Sequence, residues 1–130
     1  MLKPTILVAS LNRDQSKTIC DCLKNAGYQV LVTDQGRNAL EMVRSSKPDL
    51  VLVDWKLPDL SGLAVTRTIR AEEDLSALPI ILRSAEMNEV DIEIGLDAGA
   101  DMCLKEPLHP AEFMARIRAV LRRCNGQKIR

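Results

Sequence analysis

The sequence predicts a three-layer α/β/α sandwich built on a five-stranded parallel sheet of strand order 2-1-3-4-5. Three observations predict it. Short apolar runs alternate with helix-period patterns from one end of the chain to the other, the rhythm of repeated strand–helix units. One run, Leu50 to Val53, is apolar at consecutive positions, as a strand covered on both faces requires, and it stops abruptly at Asp54. The length of 130 residues suits a single domain that buries a core without disulfides or metal. Right-handed crossovers then place helices on both faces of the sheet, and the strand order puts the topological switch point between the first and third strands.

The first strand is expected at Thr5 to Ala9 and the first helix from about Asp14 to Ala26, with Ile19, Cys22, Leu23 and Ala26 on its core face. Gln29 to Thr33 is the second strand, and Ala39, Leu40 and Val43 form the stripe of the second helix. Asp49 to Asp54 is the third strand, followed by a Leu57-Pro58 loop and a Ser61-Gly62 start to a helix marked by Val65 and Ile69. Pro79 to Arg83 is the fourth strand. The fourth helix runs from about Asn88 to Ala98 and ends at Gly99, a left-handed cap. It is apolar on two sides, Ile92 with Leu96 and Val90 with Ile94 and Ala98, of which one is expected to face the sheet. Asp101 to Lys105 is the fifth strand. The last helix, Pro110 to Cys124, turns Phe113, Ile117, Val120, Leu121 and Cys124 inward and Arg116, Arg118, Arg122 and Arg123 outward, with His109 at its capping position. Residues 1–124 make one domain, and Asn125 to Arg130 reads as a frayed polar tail or the start of a linker.

Eighteen basic and eighteen acidic residues cancel, so there is no global basic field to hold nucleic acid or an anionic membrane. No apolar run reaches the length of a membrane span or of a signal peptide, and a cytoplasmic protein is expected. Cys20, Cys22, Cys103 and Cys124 lack the spacing of a zinc site and read as reduced thiols.

Chemistry in open parallel sheets gathers at the carboxyl ends of the strands, which is where Asp54 falls. Val53-Asp54-Trp55-Lys56-Leu57-Pro58 followed by Ser61-Gly62 resembles the phosphoacceptor segment of response-regulator receiver domains of two-component signalling. The likeness extends from Ile6 to Arg123. It includes Ile80-Ile81-Leu82-Arg83-Ser84-Ala85, Gly95-Leu96-Asp97-Ala98-Gly99-Ala100-Asp101, and Pro107 with Ala115-Arg116-Ile117. The resemblance implies the flavodoxin-like fold of receivers and an aspartate phosphorylated by a sensor histidine kinase or phosphotransfer protein. It also implies Mg²⁺, an acidic pair after the first strand, a Ser/Thr and a lysine, because phosphoryl transfer depends on positioning and charge neutralisation.

By that resemblance Asp54 is the phosphoacceptor and Ser84 the phosphate-contacting hydroxyl. Four family positions are altered. The acidic pair falls on Ser10 and Leu11, so Asp54 is at most the one metal ligand left and Mg²⁺ is doubtful. The lysine before Pro107 is replaced by Glu106, and Lys105, one residue earlier on a strand, points to the other face. The aromatic switch residue corresponds to Cys103. The chain thus resembles a degenerate, or pseudo-receiver, variant. Two like charges at Asp54 and Glu106 call for a cation, and Arg13 and Arg83 are the two candidates by position, with solvated surface roles as the alternative. A cis Glu106-Pro107 peptide is also expected from the resemblance.

Two functions compete. One is a receiver that accepts phosphate on Asp54 and passes a conformational change onward. The other is a phosphorylation-independent protein–protein interaction module. In either, an output domain, a partner protein or a second copy is expected on the face formed by the fourth helix, fifth strand and last helix. No ordinary enzymatic activity is expected. A flavodoxin-like nucleotide site is disfavoured because Ser10-Leu11-Asn12-Arg13 is not a glycine- and hydroxyl-rich phosphate loop.

Overall fold

The computed structural model describes the backbone of residues 3–129 and the side-chain surroundings of residues 3–124. The chain alternates β1 (Thr5–Ala9), α1 (Arg13–Asn25), β2 (Gln29–Thr33), α2 (Gly36–Ser46), β3 (Leu50–Asp54), α3 (Gly62–Ala71), a 3₁₀ turn (Glu73–Leu75), β4 (Ile80–Ser84), α4 (Glu89–Ala98), β5 (Met102–Lys105) and α5 (Pro110–Ile129). All pairings are parallel, in the order β2-β1-β3-β4-β5.

Strand alternation sorts the core into two layers. Ile6, Val8, Leu50, Leu52, Ile81 and Leu104 turn to one face, where Leu23 of α1 and Phe113, Ile117, Val120 and Leu121 of α5 cover them. Leu7, Val51, Val53, Ile80 and Leu82 turn to the other, under Leu40 and Val43 of α2 and Val65 and Ile69 of α3. Burial on both faces is why β3 reads as an unbroken apolar run.

Local chemistry sets the helix ends. The Asn12 side chain accepts from Asp14 N at 3.0 Å and Gln15 N at 3.1 Å, Ser61 Oγ from Ala64 N at 3.1 Å, and Asn88 with Asp91 closes a reciprocal capping box. The N-cap residue of α2, Gln35, makes no such bond. Instead, Asp59 reaches over from the β3–α3 loop and accepts from Gly36 N at 2.7 Å and Arg37 N at 3.0 Å. Gly99 ends α4 with φ +117°, as the sequence predicts. His109 Nδ1 accepts from Ala111 N at 3.2 Å and so caps α5.

Three expectations are corrected. On α1 it is Cys20, not Cys22, that enters the core; Cys22 is half-buried, because the helix is rotated so that Cys20 and Leu23 face the sheet. On α4 neither apolar side faces the sheet squarely. The seam runs through Gly95, with Ile92 and Ala98 partly buried, and leaves Val90, Ile94 and Leu96 exposed on its two flanks. The backbone of α5 continues past Cys124 to Ile129, since Asn125 and the single Gly126 do not stop it; Arg130 lies outside the described residues. Among the described residues no helix is long and apolar enough to cross a membrane.

Candidate functional site

The carboxyl ends of β1, β3, β4 and β5 meet at a crevice of about 180 Å³ that Asp54, Arg83, Ser84, Glu106 and Leu11 help to line. Strand alternation decides which side chains converge there. Asp54 follows Leu52, Arg83 follows Ile81, Glu106 follows Leu104 and Ser10 follows Val8 by two residues each, so all four turn to the α1/α5 face. Asp54 pairs in register with Arg83, and Arg83 with Leu104. The start of α3 presses on the same corner: Gly62 N donates to Trp55 O at 2.9 Å, and a Cβ on Gly62 would stand 2.2 Å from the Asp54 carbonyl oxygen.

Arg83 is the centre of the site. It is 2 % exposed, and its Nε lies 2.8 Å from Asp54 Oδ1 and 2.7 Å from Glu106 Oε1. The Asp54 contact is an ion pair rather than an aligned hydrogen bond, since Asp54 Oδ1 has no hydrogen-bond partner. Asp54 Oδ1 and Arg83 Nη1 are both buried without a hydrogen-bond partner. Burial pushes the Asp54 carboxyl above its ordinary 3.8, against the Arg83 charge, the Ser10 hydroxyl and the Leu11 backbone N–H, which all pull it down.

The other predicted positions are placed as follows. Ser84 borders the crevice, its Oγ accepting from Glu86 N at 3.1 Å. Ser10 is buried beneath Asp54, while Leu11 stands at the rim, more than half exposed. Lys105 is exposed and does not line the crevice, as its one-residue offset predicts, and Glu106-Pro107 is cis. Of the two candidate cations, Arg83 enters and Arg13 remains exposed outside, so the surface alternative fails for Arg83 and holds for Arg13. Lys56 meets Glu86 at 3.2 Å across the mouth, both largely in solvent. Cys103 is half-buried under α4, where its Sγ lies 3.8 Å from Ile92 O and a Cβ on Gly95 would come within 2.7 Å of it. Burial raises this thiol's pKa.

The model of the response regulator receiver domain family matches residues 6–118. The chain belongs to this family. It is 37 % identical over 122 residues to the DNA-binding response regulator MtrA of Mycolicibacterium paratuberculosis, covering 94 % of this chain and 53 % of that protein. It is 36 % identical to the phosphate regulon transcriptional regulatory protein PhoB of Pseudomonas aeruginosa, covering 95 % and 54 %. The chain thus spans about half the length of these relatives. Among solved structures, the receiver domain of sensor histidine kinase PA1611 from Pseudomonas aeruginosa, which has a magnesium ion coordinated in its active-site cleft, superposes with a TM-score of 0.84 at 30 % identity, covering 92 % of this chain and 98 % of that one. The Francisella response regulator 1452 receiver domain gives 0.86 at 25 % identity, covering 93 % and 98 %. The receiver domain is a module of two-component signalling, and the strand order matches its fold.

Magnesium does not fit this crevice as it stands. Among the described residues no group of three or more His, Cys, Asp or Glu is arranged to hold a metal ion, and the space between the two carboxylates is taken by a buried guanidinium.

Proposed function

We propose that this receiver domain signals by protein–protein interaction without phosphorylation of Asp54, a pseudo-receiver in which the crevice is held in one state by its own charges. The observation that carries this reading is the Arg83 guanidinium lodged between Asp54 and Glu106 at 2.8 and 2.7 Å. An incoming phosphoryl group would have to displace a buried cation from the acceptor carboxylate, and it would meet Glu106 where the family resemblance implies a lysine. The ion triplet joins the ends of β3, β4 and β5, so it fixes the loops that a phosphorylated receiver would move. A partner protein, an output domain or a second copy would then meet a constant surface along α4, β5 and α5, where Val90, Ile94 and Leu96 are exposed.

One observation favours the other reading. Ser84 borders the crevice beside Asp54, where a hydroxyl would hydrogen-bond an acyl phosphate delivered by a sensor histidine kinase or phosphotransfer protein. Intact mass after incubation with a small phosphodonor and Mg²⁺, beside Asp54→Asn, separates the two. No gain in mass is expected. A metal-dependent gain of one phosphate that vanishes in Asp54→Asn would replace the pseudo-receiver with a working phosphoacceptor.

A further inference from the structure

A guanidinium that serves only as a salt-bridge partner engages a carboxylate through two parallel N–H groups, the fork geometry that makes arginine pairs strong. Arg83 makes its closest approach to both Asp54 and Glu106 through one nitrogen, Nε, while Nη1 is left without a partner and Asp54 Oδ1 accepts no hydrogen bond although it is buried. The cation therefore sits on the two acids as a point charge would. Its contacts of 2.8 and 2.7 Å are longer than the ~2.1 Å of Mg²⁺–oxygen or the ~2.3–2.6 Å of Ca²⁺–oxygen bonds, so a bound ion would draw the two carboxylates inward. The Ser10 hydroxyl lies on the same carboxylate, and the crevice mouth is open to the waters that Mg²⁺ retains.

We infer that Arg83 is the resident cation of this crevice: it takes the place of a divalent metal ion between Asp54 and Glu106 and is the positioning residue that makes the site metal-independent. The inference deepens the proposed function and rests on it. One positive charge between two negative ones leaves the triplet at a formal −1. Without Arg83 the carboxylates would face each other at −2 in a mostly buried setting, which favours uptake of a divalent ion or of protons.

The test measures metal binding, not phosphorylation. Arg83→Met keeps length and removes charge; Arg83→Lys keeps the charge; Arg83→Met/Glu106→Gln removes the second acid. Each is titrated with Mg²⁺ and with Ca²⁺ by calorimetry at neutral pH, alongside thermal melts in either salt and in sodium chloride of equal ionic strength. Arg83→Met is expected to bind a divalent ion at least about tenfold more tightly than the wild type and to melt higher in it, because a ligand of the native state stabilises it by mass action. Arg83→Lys and the double variant are expected to behave as the wild type does. If Arg83→Met folds only with metal, recovery of its native circular dichroism in Mg²⁺ or Ca²⁺ but not in sodium chloride supports the inference, and recovery in neither overturns it. Equal binding by wild type and Arg83→Met also overturns it. Failure here with an unphosphorylated wild type leaves the proposed function standing, whereas phosphorylation of the wild type removes that reading itself.

Discussion

Arg83→Met should cost the fold about 3–5 kcal/mol at neutral pH in the absence of divalent ions. The size follows from the geometry. With charge centres roughly 4 Å apart and an effective dielectric near 20, each Arg83–carboxylate pair is worth about 4 kcal/mol before desolvation is counted. Both carboxylates are less than a fifth exposed, so solvent does little to screen them. Removing one member of a buried ion group leaves the others uncompensated, and measured losses of that kind run to ~3–5 kcal/mol. Against a total stability of about 5–15 kcal/mol, such a loss is visible at once. Urea denaturation followed by the emission of Trp55, the only tryptophan, gives the value directly. A triple variant, Asp54→Asn/Arg83→Met/Glu106→Gln, should recover most of it, because no charge is left buried alone. The penalty should also shrink on acidification. Asp54 already has a raised pKa, and losing Arg83 removes an influence that lowers it. A raised carboxyl contributes stability that is full below its unfolded value of 3.8 and is lost as pH rises through the folded value. The variant should therefore gain on the wild type as pH falls from neutrality toward 3.8. A loss below about 1 kcal/mol, or a triple variant no more stable than the single one, would refute the reasoning, since surface pairs behave that way.

At Gly62 an added Cβ would stand 2.2 Å from the backbone oxygen of Asp54, which no rotamer change can relieve, so Gly62→Ala should cost about 3 kcal/mol in urea denaturation. Gly95→Ala pits a helix-propensity gain of about 1 kcal/mol against a 2.7 Å approach to Cys103 Sγ and 3.1 Å to Leu82. The net change should be destabilising, and adding Cys103→Ala should reverse much of it; an unchanged double variant would mean that α4 shifts freely. Carboxyl titrations by NMR should place Asp59 below 3.8 and Asp54 above it. Desolvation pushes Asp59 up, but the backbone N–H groups of Arg37 and Gly36 outweigh it, so its contribution is present above 3.8 and lost as pH falls through the lower folded value. Asp59→Asn should accordingly weaken the start of α2 at neutral pH and narrow its difference from wild type in acid.

The strands were legible because burial on two faces leaves an unmistakable mark: Leu50 to Val53 and Ile80 to Leu82 are apolar at every position, and the strand order follows from chain direction and handedness. The rotation of α1 and α4 was not, since Cys22 and Cys20 are interchangeable in hydropathy, and Gly95 contributes close approach rather than apolar surface. Asp54 and Glu106 could be placed from the sequence because each ends or follows a strand at a known parity. Arg83 could be nominated but not decided by position alone. The signal that decides it is parity: it sits two residues after Ile81 on a central strand, where a buried arginine is affordable only with acids beside it, and Asp54 and Glu106 share that face. The Asp59 cap left no local trace, because it joins a loop to a helix more than twenty residues earlier in the chain.

The charges around the crevice are interdependent. Glu106 without Arg83 would set a second, uncompensated negative charge against Asp54, whereas Arg83 without Glu106 would keep Asp54 as its partner. Ser10 and Leu11 complete the balance by adding no further negative charge at the end of β1, so one guanidinium comes within a single charge of neutralising the site. Two acids after β1 would have raised the deficit beyond what Arg83 can meet and restored the demand for a divalent ion. The same logic extends to Cys103. Its small side chain lets α4 settle onto the sheet through Gly95, where an added Cβ would come within 2.7 Å of Sγ. Charge at the crevice and packing beneath α4 both support the proposed pseudo-receiver reading, in which a partner would meet the exposed flanks of α4 in one conformation.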